Sequence, residues 1–122
     1  MDREPARRFE DLVMWQKSHQ LTLRVYRITK SFPKHEIYGL AAQMRKAAVS
    51  VAANIAEGFS KRGRSDKARF MNIAQGSVEE LRYYTILARD LEYTATDTVW
   101  ADLDEVGRLL GAYTRTLLAP SS

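Results

Sequence analysis

Apolar residues recur at helical spacing along nearly the whole chain, in four blocks. In the first, from about Glu10 to Ser31, Met14, Leu21, Val25, Ile28 and Phe32 share one stripe, with Trp15 and Tyr26 to one side. Pro33 disfavours helical geometry at Phe32 and closes the block. The second block, about Glu36 to Ser60, carries Leu40, Met44, Ala48, Val51, Ile55 and Phe59. The third, about Ser65 to Glu92, carries Phe70, Ile73, Ala74, Ser77, Leu81, Ala88 and Leu91, with Ser65 or Asp66 placed to cap its first amides. In the fourth, about Asp97 to Leu118, Val99, Leu103, Val106, Leu110, Tyr113 and Leu117 alternate by four and three, and Thr94 or Thr96 is placed to cap it.

The links between blocks are short: FPKHE, KRGR and YTATD. Short links make consecutive helices antiparallel neighbours. The pattern therefore predicts an all-α fold, an antiparallel up-down-up-down four-helix bundle. One domain accounts for residues 1–122, with flexible ends at about 1–8 and 119–122.

The second block has more apolar surface than one core requires. Opposite its main stripe stand Ala42, Val49, Ala53 and Ala56. In the third block Tyr83, Ile86 and Leu87 also point away from the expected stripe. Val49, Ala53, Ala56, Tyr83, Ile86 and Leu87 are accordingly the candidate subunit interface. Between the two apolar sides of the second helix runs a narrow polar strip that includes Ser50, Asn54 and Glu57. Ser77 and Glu80 sit in or beside the stripe of the third. A buried polar group left unpaired costs roughly 1–3 kcal/mol, so these five residues are expected to form a structural polar network between helices two and three. Gly58 and Gly76 would let the two backbones approach.

Composition narrows the chemistry. The chain has no cysteine, which removes disulfides, thiol nucleophiles and thiolate metal sites together and fits a cytoplasmic location. No signal peptide or membrane span is readable. Charge is unevenly distributed: residues 1–75 carry a net +8 and residues 76–122 a net −4. Two readings of this asymmetry stay open. One is solvated faces or attraction between subunits; the other is an anionic partner docking on the basic part. The densest basic stretch spans the second link and the start of the third block, with Lys61, Arg62, Arg64, Lys67 and Arg69 as candidate nucleic-acid-binding residues.

The run FPKHEIYGLAAQMRKAAVSVAANIAEGFSKRGRSDKARFMNIAQGSVEEL, preceded by DLVMWQKSHQL, resembles the four-helix-bundle family of 23S ribosomal RNA intervening-sequence proteins. The residues that carry the resemblance are Phe32-Pro33, Tyr38-Gly39-Leu40, Gln43, Arg45, Ser50, Asn54 to Gly58, Gly76-Ser77 and Glu80-Leu81, within a match from residue 11 to about 118. It implies a bundle that assembles as a ring-shaped homopentamer. Related accessory proteins of diversity-generating retroelements share this barrel and associate with nucleic acid and a reverse transcriptase. Two positions depart from the family pattern. Lys46 stands where a second arginine is common, and Ala52 where a proline is common.

No catalytic constellation stands out. A di-metal carboxylate bundle needs Glu-x-x-His pairs, whereas Glu57 is followed at that spacing by Ser60 and Glu80 by Tyr83. The only histidines, His19 and His35, lie elsewhere, and no glycine-rich phosphate loop is present. The chain reads as non-enzymatic, with no cofactor, no metal and no membrane partner. It is expected to be a homo-oligomer, pentameric by the resemblance, that binds RNA or DNA through basic surface. The alternative is an adaptor whose protein partner docks on the ring.

Overall fold

The computed structural model describes residues 5–120. Among these residues there are four α-helices: α1 (Val13–Thr29), α2 (Leu40–Ser60), α3 (Arg64–Asp90) and α4 (Asp97–Leu118). Each packs on its neighbours in the chain, and α1 also packs on α4, which closes the bundle. The α2–α3 contact is the most extensive. The start of α1, the end of α2, the start of α3 and the end of α4 share one end of the bundle. Among the described residues, no helix is long and apolar enough to cross a membrane.

The core follows the stripes of α1, α2 and α4 closely. Leu21, Val25, Met44, Val51, Ile55, Leu103, Val106 and Leu110 are fully buried. The stripe of α3 departs from expectation. Its buried residues are Ala68, Met71, Ala74, Val78, Leu81, Thr85 and Ala88, whereas Ile73 and Leu91 are 43% and 46% exposed. Ala74, Leu81 and Ala88 are buried as expected, but Met71 and Val78 take the core places expected of their neighbours Phe70 and Ser77, which are half-buried. Thr85 fits in the core because its hydroxyl donates to the Leu81 carbonyl at 2.7 Å. Ser18 and Thr29 do the same on α1, donating to Met14 and Val25.

The helix starts also differ. α2 begins at Leu40 rather than Glu36, after a single 3-10 turn, Lys34–Glu36. Gly39 breaks the path, and a Cβ there would lie 2.6 Å from Glu36 Oε1. That space lets the Glu36 carboxylate accept from the Leu40 amide at 3.1 Å and from the Tyr93 hydroxyl at 2.8 Å. The Leu40 bond, then the Tyr93 bond, hold the Glu36 carboxyl below its ordinary range. The bond to Glu36 also holds the Tyr93 hydroxyl above its own. Both shifts have the same consequence: the contact stabilises the fold above the ordinary carboxylate range and below the ordinary phenol range, and weakens outside that window. The caps expected from Ser65, Asp66, Thr94 and Thr96 are not made. Gly63 precedes α3 and Thr96 precedes α4, neither with a side-chain cap bond.

α1 starts only at Val13. The Asp11 carboxylate accepts from the Arg7 and Arg8 amides at 3.1 Å each and sets a 3-10 turn, Phe9–Asp11, ahead of it. Of the segments expected to be flexible, residues 1–4 and 121–122 lie outside the described residues.

α3 ends in a left-handed residue. Glu92 has φ 61, the Tyr93 amide donates to the Ala88 carbonyl at 3.0 Å, and the Glu92 amide to Arg89 at 2.9 Å. This is a Schellman cap with glutamate where glycine is preferred. Glu92→Gly should therefore raise stability by about 1 kcal/mol, since a side chain in this region costs roughly that much. Urea denaturation checks it; an unchanged or lower midpoint contradicts it.

The charge asymmetry is partly absorbed within the monomer. Arg24 pairs with Asp102 at 2.6 Å and Lys17 with Glu105 at 3.2 Å, joining α1 to α4. Arg82 pairs with Asp104 at 2.9 Å and lies over the Trp100 ring, joining α3 to α4.

Candidate assembly and nucleic-acid interface

Most of the candidate residues fall on three features of α2 and α3. The first is the seam between them. Ser50 Oγ and Ser77 Oγ are 2.8 Å apart, and Asn54 Nδ2 donates to the Ser50 carbonyl at 2.8 Å and to Ser50 Oγ at 3.1 Å. These three residues form one network, half-buried at the helix contact. Glu57 and Glu80 are not brought to it. Glu57 is exposed with no side-chain partner among the described residues, and Glu80 accepts from the Tyr84 hydroxyl at 3.3 Å on the surface. A glutamate on α2 is carried one helical turn past the seam by the position of Glu57, three residues beyond Asn54.

Beside the seam, toward the turn, Gly58 lies against α3. A Cβ there would meet Met71 Cε at 2.7 Å and Phe70 Cβ at 2.8 Å. Gly76 plays no such part, since a Cβ there would meet nothing within 4 Å.

The second feature is the turn itself. Lys67 donates to the Phe59 carbonyl at 2.5 Å and lies over the Phe59 ring, so it closes the C-terminal end of α2, where a cation is favoured. Lys61 and Arg69 lie over the Phe70 ring at 5.0 and 4.7 Å, and Arg69 also faces Asp66 at 3.7 Å. Arg62 and Arg64 are exposed and have no partner among the described residues. Sequence reasoning grouped all five by charge. It placed Phe59 and Phe70 in the core stripes, whereas both are half-buried and their rings take up three of the five side chains; their spacing across Gly63 is the signal that was available.

The third feature is the outer side of α2. Val49 is 44% exposed, Ala53 is exposed and Ala56 half-exposed. They form the wall of an open groove of about 310 Å³ whose other wall is Phe9, Trp15 and His19 from the start of the chain. The Trp15 and His19 rings stack at 5.1 Å, and Phe9 meets Trp15 edge-on at 5.0 Å. The groove is almost wholly apolar. On α3, Tyr83 is 59% exposed, whereas Ile86 and Leu87 are half-buried and Leu87 packs on the core. The six interface candidates therefore do not form one patch of equal exposure.

The sequence profile of the 23S rRNA-intervening sequence proteins matches residues 10–112. The chain belongs to the 23S rRNA-intervening sequence protein family. The seam, the Gly58 contact, the basic turn and the outer groove of α2 all fall inside the matched span, apart from Phe9. Among solved structures, a protein of unknown function from the S23 ribosomal protein family of Bacteroides thetaiotaomicron has a TM-score of 0.76 to this chain. It is 23% identical, over 84% of this chain and 96% of that one, and it shows the fold of this 23S rRNA-intervening sequence protein. No curated protein matches the chain. The 23S rRNA-intervening sequence family is not a known enzyme family.

Proposed function

We propose that this family member is a non-enzymatic homo-oligomeric scaffold of the cytoplasm, pentameric as the family resemblance implies, that holds RNA or DNA on its basic turns. The observation that supports assembly is the second apolar side of α2. Val49, Ala53 and Ala56 face outward beside an aromatic wall of Phe9 and Trp15, although the core of the monomer is already complete without them. Apolar surface continuous over a groove of this kind favours a covering partner, and a second copy is the simplest one. Light scattering on the purified protein should give a mass near five chains. A stable monomer at micromolar concentration contradicts the reading.

Nucleic-acid binding draws on Arg62 and Arg64, the two cations of the turn that nothing among the described residues engages. Repetition around a ring would let weak sites act together at high effective concentration. With two phosphates neutralised per subunit, the logarithmic salt slope on duplex DNA should be about −1.8 per engaged subunit, at roughly −0.9 per phosphate. Arg62→Glu with Arg64→Glu should lower affinity across all sequences and leave helicity and oligomer mass intact. Fluorescence anisotropy with labelled RNA and DNA at several salt concentrations measures both. The uptake of Lys61, Lys67 and Arg69 by Phe59, Phe70 and Asp66 favours a second reading, a protein-binding adaptor. No binding by wild type even at low salt selects it, whereas equal binding by wild type and the double variant removes Arg62 and Arg64 as the contact.

A further inference from the structure

A notch of about 340 Å³ opens at the other end of the bundle, between the link after α1 and the first turns of α2. Its charged lining is Lys30, Lys34 and Arg45, and no carboxylate among the described residues lines it. Its apolar lining is Phe32, Ile37 and Ala41. Arg45 is held before any ligand arrives. Its Nε donates to Thr29 Oγ1 at 2.8 Å, and its guanidinium lies over the Tyr26 ring at 5.0 Å. Thr29 is fixed in turn by its bond to the Val25 carbonyl at 2.7 Å. With Nε occupied, the two terminal nitrogens of Arg45 have no partner among the described residues.

Lys30 and Lys34 are likewise without a hydrogen-bond or ion-pair partner among the described residues. They are not needed to close α1. Backbone amides of Lys30, Ser31 and Phe32 and the hydroxyls of Thr29 and Ser31 already serve its last carbonyls. The nearest acid in sequence, Glu36, is engaged by the Leu40 amide and the Tyr93 hydroxyl.

A fixed guanidinium with its outer donors open, two flexible ammonium groups and an apolar floor make a receptor for an oxyanion on an organic body. The guanidinium matches two oxygens at once, and lysine adds charge without demanding geometry. We infer that the notch binds a small phosphate monoester, its phosphate between Arg45, Lys30 and Lys34 and its organic part against Ile37 and Phe32. The site is independent of the basic turn, which lies at the opposite end of α2.

Isothermal titration calorimetry tests the inference with three probes: phenyl phosphate, inorganic phosphate and phenol. Phenyl phosphate should bind at millimolar concentrations or better, inorganic phosphate more weakly, and phenol not measurably. Lys30→Gln with Lys34→Gln changes only exposed side chains and should weaken phenyl phosphate about tenfold, as loss of charge-assisted contacts does. Arg45→Lys keeps the charge, loses the fork and should weaken it by a similar factor. Ile37→Ser should weaken phenyl phosphate and leave inorganic phosphate unchanged. Arg62→Glu with Arg64→Glu should change nothing here. The inference is overturned if phenyl phosphate gives no heat, if the lysine double variant binds it as tightly as wild type, or if the turn variant abolishes it. Inorganic phosphate binding as tightly as phenyl phosphate would overturn the assignment of an organic part.

Discussion

Ala53→Glu should convert the proposed oligomer to folded monomers. Ala53 is exposed on the outer side of α2, between Val49 and Ala56, and touches the groove walled by Trp15. The monomer core lies on the opposite side, so helicity and the urea midpoint of the isolated subunit should change little. In the proposed interface, however, the new carboxylate would be buried against apolar surface without a partner. Removing one partner from a buried charge pair costs about 3–5 kcal/mol, and an unpaired carboxylate in such a contact is of the same order. A loss of about 3 kcal/mol per contact is more than a hundredfold in affinity, and the loss recurs at each contact of a ring. Light scattering should report the monomer mass at concentrations where wild type is assembled. Assembly of the variant at wild-type concentration would place the interface elsewhere. Ala53→Ser is the matched control and should leave the mass unchanged.

Gly58 and Gly76 should respond to substitution with opposite signs. Gly58→Val places atoms where Met71 Cε and Phe70 Cβ already lie within 3 Å of a bare Cβ. The methionine end can move, but Phe70 Cβ is fixed to the α3 backbone, so the helices must separate. Overpacking of this kind costs typically 1–3 kcal/mol, and the second methyl of valine adds to the clash that the first creates. Valine regains only a few tenths of a kcal/mol over glycine in helix propensity. The net expectation is a loss of about 2–3 kcal/mol, enough to unfold a marginal domain of this size. Gly76→Ala meets nothing within 4 Å and lies in the middle of α3, so it should gain about 0.5–1 kcal/mol from the unfolded state. Thermal denaturation of both variants decides it. A neutral Gly58→Val, or a destabilised Gly76→Ala in a protein of unchanged mass, would contradict the close approach of α2 and α3 at Gly58 alone.

The bundle was readable from periodicity because three of the four helices carry large apolar residues on one stripe. α3 was harder. Its core face is built from Ala68, Ala74, Thr85 and Ala88 around Met71, Val78 and Leu81, while Phe70 and Ile73 stand one step away. Small residues and a self-satisfied threonine give a weak signal; a phenylalanine outside the core that carries two cations gives a strong one in the wrong direction. The seam was legible in Ser50, Asn54 and Ser77, since polar groups on a packed face must meet something. Glu57 and Glu80 looked the same in sequence because a hydrogen-bonding role and a solvated one use the same residue type. The notch at Arg45 was not legible at all. It brings Lys30 and Lys34 of the link beside Arg45 of α2, and the link length alone does not show where the helix begins.

The alternation of the helices has a practical corollary for anyone attaching labels or fusion partners. The start of α1 and the end of α4 lie at the same end of the bundle as Arg62 and Arg64, so a bulky group attached near Val13 or Leu118 shares space with the basic turn. In the proposed binding assay, a bulky or acidic group there would compete with nucleic acid at the turn. The link between α3 and α4, with Thr94 and Ala95 at its tip, lies at the far end and is the better anchoring point for a fluorophore or a surface.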